Sequence, residues 1–243
     1  RAALVMANSA SDAGSNDLTI RQNMIRKGII KQMVTLPSNM FTSVTLPATL
    51  WFFDKNKPQN QKDKILFIDA RNIFTQIDRA HRKFSDEQIK NLGIITRLYD
   101  GDIKAFDDLL SEYESLKVNA PAEATEENVK TKDYFQNQIN WLIERFPEHK
   151  YKDVIGLCKV AEIGEVLDDE GNVKEISEDS IADQEWSLNA GRYVGVVIED
   201  DGMTEDKFKD HMKLLNAEFE KLNNETKKLE DAISANLKVL FGD

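Results

Sequence analysis

Four short apolar runs within the first 70 residues constrain the fold most strongly, because each has the length of a buried β-strand. The runs cover residues 2–7, 29–36, 48–53 and 64–69. Between the first two lies a polar loop and a stretch with Ile20, Met24 and Ile25 at helical spacing, which Asn16 or Asp17 is expected to cap. The order strand, helix, strand, strand, strand predicts part of an α/β sheet, with too few strands for a complete doubly wound domain.

The chain begins at Arg1 and enters the first apolar run at once. We interpret that run, residues 2–7, as a buried strand. A core strand at a natural terminus would leave a sheet edge exposed. We therefore expect further residues upstream of Arg1.

Helical patterns replace the strands after residue 76. Ser85-Asp86-Glu87-Gln88 is a capping box, in which the serine oxygen accepts from the Gln88 amide while Gln88 reaches back. Residues 162–185 then contain ten acidic residues and one lysine. Their Asp168–Asn172 segment favours a hairpin turn. Because the closing glutamate of a calcium loop is missing, a solvated acidic hairpin is the preferred interpretation.

The last element is the clearest single pattern in the chain. Its apolar residues alternate steps of four and three, which is the spacing of a heptad seam. The seam consists of Phe208, Met212, Leu215, Phe219, Leu222, Leu229 and Ile233. A helix of about 35 residues would be about 50 Å long and needs a partner helix. That partner is either another part of this chain, in a helical hairpin, or another subunit.

Charge is distributed unevenly along the chain. Residues 1–100 carry a net charge of +6 and residues 101–243 carry −17. A basic part that faces a polyanion explains this asymmetry, and so do two differently solvated surfaces. A single cysteine, Cys158, and the absence of an 18-residue apolar run or a signal peptide indicate a cytoplasmic protein without a membrane segment.

The sequence offers little chemistry of its own. No Gly-x-Gly turn follows a predicted strand, so no nucleotide or adenosyl cofactor loop is expected. His81, His149 and His211 are scattered without metal-ligand spacing. We predict no catalytic residue and no metal site in this chain.

Several blocks of sequence, in order, resemble one known family. They are Ala3–Asn8, Ile20-Arg21, Val34–Phe41, Thr45–Lys55, Lys64–Arg71 and Ser187–Gly195. They resemble the N6-adenine methyltransferase subunit of type I DNA restriction-modification systems, although that family usually has proline at the position of Ala190. The resemblance identifies this chain as a C-terminal fragment of such a subunit.

The resemblance implies a fold and an activity. Residues 1–76 would be the last strands of a Rossmann-like, S-adenosylmethionine-dependent methyltransferase sheet. Residues 77–203 would be a mainly helical region with an acidic hairpin, and residues 204–243 a long helix for subunit assembly. The intact enzyme would methylate adenine N6 in host DNA and so protect it from the cognate nuclease. Its cofactor loop and its Pro-Pro catalytic motif would lie upstream, since none of the five prolines here adjoins another. The fragment alone is expected to bind no cofactor and to be inactive.

The resemblance also implies site residues. Phe41 occupies the position of an aromatic residue that contacts the flipped target base. The alternative is that Phe41 is a core residue of the loop. The basic candidates for contact with DNA phosphates are Arg71, Arg79, Arg82 and Lys83, for which a solvated surface is the alternative. Gly191 is expected to supply a backbone turn, and no role is assigned to Asn189 or Arg192.

The expected partners are double-stranded DNA, the specificity subunit, which would pack on the final helix, and the restriction subunit of the same system. No membrane partner is expected. Two other hypotheses stay open: a pure interaction module that serves only assembly, and an independent enzyme of unknown reaction. DNA binding by the isolated chain would favour the methyltransferase fragment over the module.

Overall fold

The structure is a computed structural model that describes residues 1–41, 45–119, 126–197 and 204–241. Residues 1–197 and 198–243 form two compact units, which are treated separately below. The predicted loop positions Thr42 and Ser43 and the last two residues of the predicted 204–243 segment lie outside the described residues.

The elements of secondary structure follow the chain in a simple order. The strands are β1 (Ala2–Ala7), β2 (Ile30–Thr35), β3 (Ala48–Phe53), β4 (Lys64–Asp69), β5 (Thr75–Gln76), β6 (Arg82–Lys83), β7 (Cys158–Glu162), β8 (Glu165–Leu167) and β9 (Val173–Ile176). The α-helices are α1 (Ser15–Arg26), α2 (Asp86–Tyr99), α3 (Ile103–Asn119), α4 (Glu126–Arg145) and α5 (Glu205–Phe241). Short 3₁₀ turns are formed by Asn8–Ser11, Gln59–Gln61 and Ala190–Arg192.

Five strands form the central sheet in the order β1-β3-β2-β4-β7. β2 and β4 are parallel, and the other neighbours are antiparallel. β1, β2 and β4 therefore point the same way and end at one edge of the sheet, called here the carboxyl edge. The four predicted strands are confirmed, and β8 and β9 form the predicted acidic hairpin. β7 was not predicted, because its Cys-Lys-Val-Ala-Glu sequence has no continuous apolar run.

The two faces of the sheet carry separate cores. Val34, Leu66 and Ile68 face the helices α2, α3 and α4 and pack with Phe106 and Leu142. The opposite face packs on α1 and on the segment from Ile181 to Val194. Because α2–α4 share a core with the sheet, the boundary predicted at residue 76 does not divide two compact units.

The interpretation of β1 as a buried strand is wrong. β1 forms and pairs with β3, but Leu4 and Val5 are 52% and 58% exposed. Leu4 and Val5 point to opposite faces of the sheet, so apolar surface is open on both faces of this edge strand. The apolar composition is that of a covered strand, but no described element covers it.

Helix starts were predicted with mixed success. The capping box at Ser85 is confirmed, with Ser85 accepting from the Gln88 amide and Gln88 returning to the Ser85 amide. The capping role expected of Asn16 or Asp17 is wrong, because α1 already begins at Ser15 and its N-cap residue is Gly14. Asp17 lies instead in the first turn, where its charge suits the helix dipole.

Arg21 anchors α1 to distant parts of the chain. Its side chain is buried, and its guanidinium donates to the carbonyl oxygens of Trp186 at 2.8 Å, Ala13 at 2.8 Å and Ala10 at 3.3 Å. Burial lowers the pKa of Arg21, while the charges of Asp12 and Asp17 act in the opposite direction. The arginine thus ties α1 to the loop after β1 and to the segment that covers the second face of the sheet.

We expect Arg21→Met to lower the free energy of unfolding by about 2–4 kcal/mol, because buried carbonyl oxygens lose their donors while the side-chain volume is kept. Urea unfolding followed by tryptophan fluorescence measures the change. Arg97→Met is the matched control, since Arg97 is 65% exposed in its side chain. A loss no larger than that of the control would contradict the anchoring role of Arg21.

Candidate functional site at the carboxyl edge of the sheet

The carboxyl edge is where the described fold brings loops with functional candidates together. The connections that leave β1, β2 and β4 all start here, at Asn8, Leu36 and Ala70. In open α/β sheets, ligands bind in the crevice outside the carboxyl ends of the strands. We therefore examine this edge as the candidate site.

A row of side chains crosses four strands just inside the carboxyl edge. Strand register aligns Met6 with Thr49, Thr49 with Thr35, and Thr35 with Asp69, so all four lie on one face. The Thr49 hydroxyl donates to Asn8 Oδ1 at 2.9 Å, which fixes the start of the loop after β1. The edge therefore has a polar layer on which the loops rest.

Phe41 lies in the loop that leaves β2. It is 41% exposed, which a side chain buried in a loop core would not be. The loop turns at Asn39, whose φ is +62° and whose amide donates to the Thr45 carbonyl at 3.2 Å. Phe41 is thus an aromatic side chain presented to solvent beside the carboxyl edge.

Arg82 joins the β5–β6 hairpin to the same loop. Its backbone amide donates to the Asn39 carbonyl at 2.9 Å, and its Nη1 donates to Ser38 Oγ at 3.1 Å. Its guanidinium also lies over the Phe74 ring, 3.9 Å from the ring centre. The fold therefore places a basic side chain next to the loop that carries Phe41, a proximity that the sequence does not reveal.

The other basic candidates, Arg71, Arg79 and Lys83, differ in whether an acidic side chain pairs with them. Arg79 and Lys83 are exposed and, like Arg82, form no ion pair among the described residues. Arg71 is held by Asp69: its Nε contacts both carboxylate oxygens at 2.9 and 3.0 Å, and its Nη2 contacts Oδ2 at 2.6 Å. These hydrogen bonds raise the pKa of Arg71. Arg79, Arg82 and Lys83 therefore keep unpaired charge, whereas that of Arg71 is largely balanced.

The segment Trp186–Val194, called here the strap, crosses the carboxyl edge. Asp12 accepts hydrogen bonds from the Ser187 hydroxyl and from Asn189 Nδ2, the latter at 3.3 Å. Tyr193 stacks on Phe67 of β4 with ring centres 4.0 Å apart. Sequence reasoning missed Asp12, because no local signal links it to residues 175 positions away. The strap contains most of the resembling block Ser187–Gly195, which therefore has a structural place beside the candidate site.

The predicted seam of α5 belongs to the second unit. At 1.5 Å per residue, the 37 residues of α5 make a helix of about 55 Å. The seven predicted seam residues are between 44% and 64% exposed. Thr204 Oγ1 accepts from the Lys207 amide at 3.4 Å and so caps the start of this helix. The helix therefore presents an apolar stripe that the described residues of its own unit do not cover.

Nucleophilic and metal chemistry find little support among the described residues. Cys158 is fully buried, and burial raises the pKa of its thiol to about 12, which disfavours the reactive thiolate. No group of three or more His, Cys, Asp or Glu side chains within the described ranges is arranged to hold a metal ion.

Across those same ranges, no helix combines the length and the apolar character that a membrane crossing requires.

Comparison with known proteins gives a consistent result. Residues 1–113 match the family model described as N-6 DNA Methylase. The MjaIX type I restriction enzyme methylase subunit of Methanocaldococcus jannaschii is 31% identical over 237 residues, which cover 96% of this chain and 32% of the relative. The HindI type I restriction enzyme methylase subunit of Haemophilus influenzae is 38% identical over 91 residues, covering 37% of this chain and 20% of the relative. The chain thus spans about a third or less of these relatives.

A solved structure was also found. The methyltransferase subunit of a type I restriction-modification system from Streptococcus thermophilus superimposes with a TM-score of 0.43 at 17% identity. The match covers 79% of this chain and 26% of that structure.

Proposed function

Because the chain belongs to the family of type I restriction enzyme methylase subunits, we propose that it is part of a DNA methyltransferase that modifies the N6 atom of adenine. In the whole protein the methyl group would come from S-adenosylmethionine. The observation that carries the proposal beyond family membership is the contact of Arg82 with the loop that bears Phe41. It places a cation against the same loop that carries an exposed aromatic ring, and a nucleic acid with an extruded base requires both groups.

Phe41 would take the aromatic role in this interface. A base that leaves the helix loses its stacking partners, and contact with an aromatic side chain returns about 1–3 kcal/mol. The exposure of Phe41 supports this role, since a ring committed to the protein core would have no surface to offer.

Arg82 and Lys83 are the strongest phosphate candidates, with Arg79 and Arg71 beside them in the chain. A cation without an acidic partner has its full charge available for a phosphate, and Arg82 and Lys83 have no acidic partner among the described residues. Such contacts position the protein on DNA and carry no sequence information. Base-specific readout is assigned to the specificity subunit.

The long helix α5 would serve assembly, with its seam packed against helices of the specificity subunit. The restriction subunit would join the same complex. A helix with seven large apolar side chains half exposed along one stripe supports a role in association.

The described residues do not fit S-adenosylmethionine by themselves. The residues that directly follow the parallel strands, 8–11, 36–39 and 70–73, contain no glycine that would let the backbone approach a cofactor. We therefore propose that this chain alone transfers no methyl group. The exposed apolar strand β1 is the edge at which we expect the rest of the subunit to pair.

A second candidate function is that of an assembly module without a DNA interface. The exposed seam of α5 favours this function, because an exposed apolar stripe on a helix is suited to association with another polypeptide and requires no contact with DNA. Binding of the isolated chain to a mixed-sequence duplex at physiological salt would favour the methyltransferase part over the module.

We expect Phe41→Ala in the whole methyltransferase to reduce methylation at limiting DNA by roughly tenfold or more, because the extruded base loses about 1–3 kcal/mol of stacking. Transfer of a tritiated methyl group to duplex DNA measures the rate. Val118→Ala, at an exposed apolar position on α3, is the control that should leave the rate unchanged. An unaltered rate for Phe41→Ala would remove Phe41 from the interface.

Charge reversal at Arg82 and Lys83 is expected to weaken DNA binding and to reduce the dependence of log Kd on log salt by about one unit per lost phosphate contact. Fluorescence anisotropy with a duplex at several salt concentrations measures both. The double variant Lys104→Glu with Lys117→Glu on α3 has the same net charge and is the control. Equal affinities and slopes for the two double variants would mean that only net charge matters.

Phe219→Asp with Leu222→Asp is expected to abolish copurification with the specificity subunit, because two carboxylates would be buried in the helix seam. Ala217→Asp with Asn224→Asp adds charges seven positions apart on the opposite side of α5 and should assemble normally. Intact assembly of the Phe219 and Leu222 variant would contradict the proposed role of the seam.

A further inference from the structure

We propose that Gly191 and Asn189 are positioning residues that hold Arg71 at the end of β4, in the orientation in which it contacts a DNA phosphate. The inference rests on the proposed function and deepens it, since it explains why a strap from far along the chain lies beside the interface.

The guanidinium of Arg71 fills the space beside the Cα atom of Gly191. A Cβ atom built on Gly191 would lie 2.9 Å from Arg71 Nη2 and 3.6 Å from its Cζ, so the guanidinium occupies the space that any other side chain would need. The φ angle of Gly191 is outside the left-handed region. Gly191 does lie in a turn, as predicted, but the requirement for glycine comes from the neighbouring guanidinium and not from the backbone conformation.

The 3₁₀ turn that carries Gly191 is fixed on both sides. Asn189 Oδ1 accepts from the Gly191 amide at 3.1 Å, and Asn189 Nδ2 donates to Asp12 Oδ2 at 3.3 Å. Farther along the strap, Tyr193 stacks on Phe67 and donates to the Ser187 carbonyl at 2.6 Å. The turn is therefore held in place by hydrogen bonds and ring stacking, and the Arg71 guanidinium packs against it.

Asp69 and this turn together leave one side of the Arg71 guanidinium free to bind a ligand. Asp69 engages Nε and Nη2, and Gly191 lies against Nη2. Nη1 has no hydrogen-bond partner in the described part of the chain, and the side chain is 49% exposed. A guanidinium held by a carboxylate on one edge presents the remaining N–H groups in a fixed geometry that suits a phosphate.

An alanine at position 191 tests this arrangement directly. The obstructing atom is the tip of a flexible side chain, so the protein can accommodate the methyl group by moving the guanidinium while the backbone stays in place. We expect Gly191→Ala to keep the melting temperature of the unsubstituted protein. Gly93→Ala, whose added Cβ on α2 meets no atom within 4 Å, is the control that should leave DNA binding unchanged.

The experiment uses the whole methyltransferase and a fluorescein-labelled mixed-sequence duplex, titrated at several sodium chloride concentrations. Both Gly191→Ala and Arg71→Gln should weaken binding about tenfold and reduce the salt slope by about one, as for the loss of one charged contact. Combining them should add nothing to Arg71→Gln alone. Additive losses would overturn the inference, because Gly191 would then act through some other group.

The remaining outcomes separate this inference from the proposed function. If Arg71→Gln weakens binding and Gly191→Ala does not, the positioning role is wrong and the phosphate contact stands. If Arg71→Gln and Gly191→Ala both leave binding unchanged while reversal of Arg82 and Lys83 weakens it, the inference is wrong and the DNA interface stands. If none of these variants changes binding, both the inference and the proposed DNA interface are wrong. Should Gly191→Ala not fold, Asn189→Ala replaces it in the same cycle, and loss of folding in both would also overturn the inference.

Discussion

The candidate site depends on the shared direction of β1, β2 and β4. β3 runs antiparallel between β1 and β2, and β2 pairs in parallel with β4, so three chain connections leave the sheet at one edge. If β4 were reversed, Asp69 and Arg71 would lie at the opposite edge from Phe41. The strap could then not reach both the loop after β1 and the end of β4. Strand direction, set by backbone hydrogen bonds, therefore determines which side chains can act on one ligand.

Local patterns were sufficient to predict most elements of the sheet. The runs at residues 2–7, 29–36, 48–53 and 64–69 match four strands to within one residue. In β2, β3 and β4 the continuous apolar sequence follows from burial in the sheet, whereas β1 has such a sequence without being buried. β7 escaped because it is an edge strand that pairs only with β4 and mixes polar with apolar residues. The capping box at Ser85 was predictable because both of its hydrogen bonds are local, whereas the start of α1 at Gly14 follows no side-chain signal.

The candidate site itself was only partly predictable. Phe41, Arg71 and Arg82 could be named from resemblance and charge, but the sequence gives no reason to place Arg82 against Ser38, 44 positions away. Asp12 and the strap pair over an even longer separation. Contacts of this kind follow from strand order and from packing on Phe67, which are properties of the assembled fold. They also explain why the need for glycine at position 191 cannot be predicted from the sequence. It follows from the position of Arg71, which only the fold brings beside Gly191.

Two apolar surfaces stay exposed within the units that carry them. β1 exposes Leu4 and Val5 on opposite faces of a sheet edge, and α5 exposes its whole seam. Most of the stability of a helix in a protein comes from packing of its apolar face, so α5 gains little of it from the described residues. A free sheet edge similarly favours pairing with another strand. The carboxyl edge, by contrast, is polar, with Thr49 bound to Asn8, Arg71 to Asp69 and Asn189 to Asp12. The physical division is between apolar surfaces on β1 and α5, whose burial would be favourable, and an edge where Arg79, Arg82 and Lys83 carry charge without an acidic partner among the described residues.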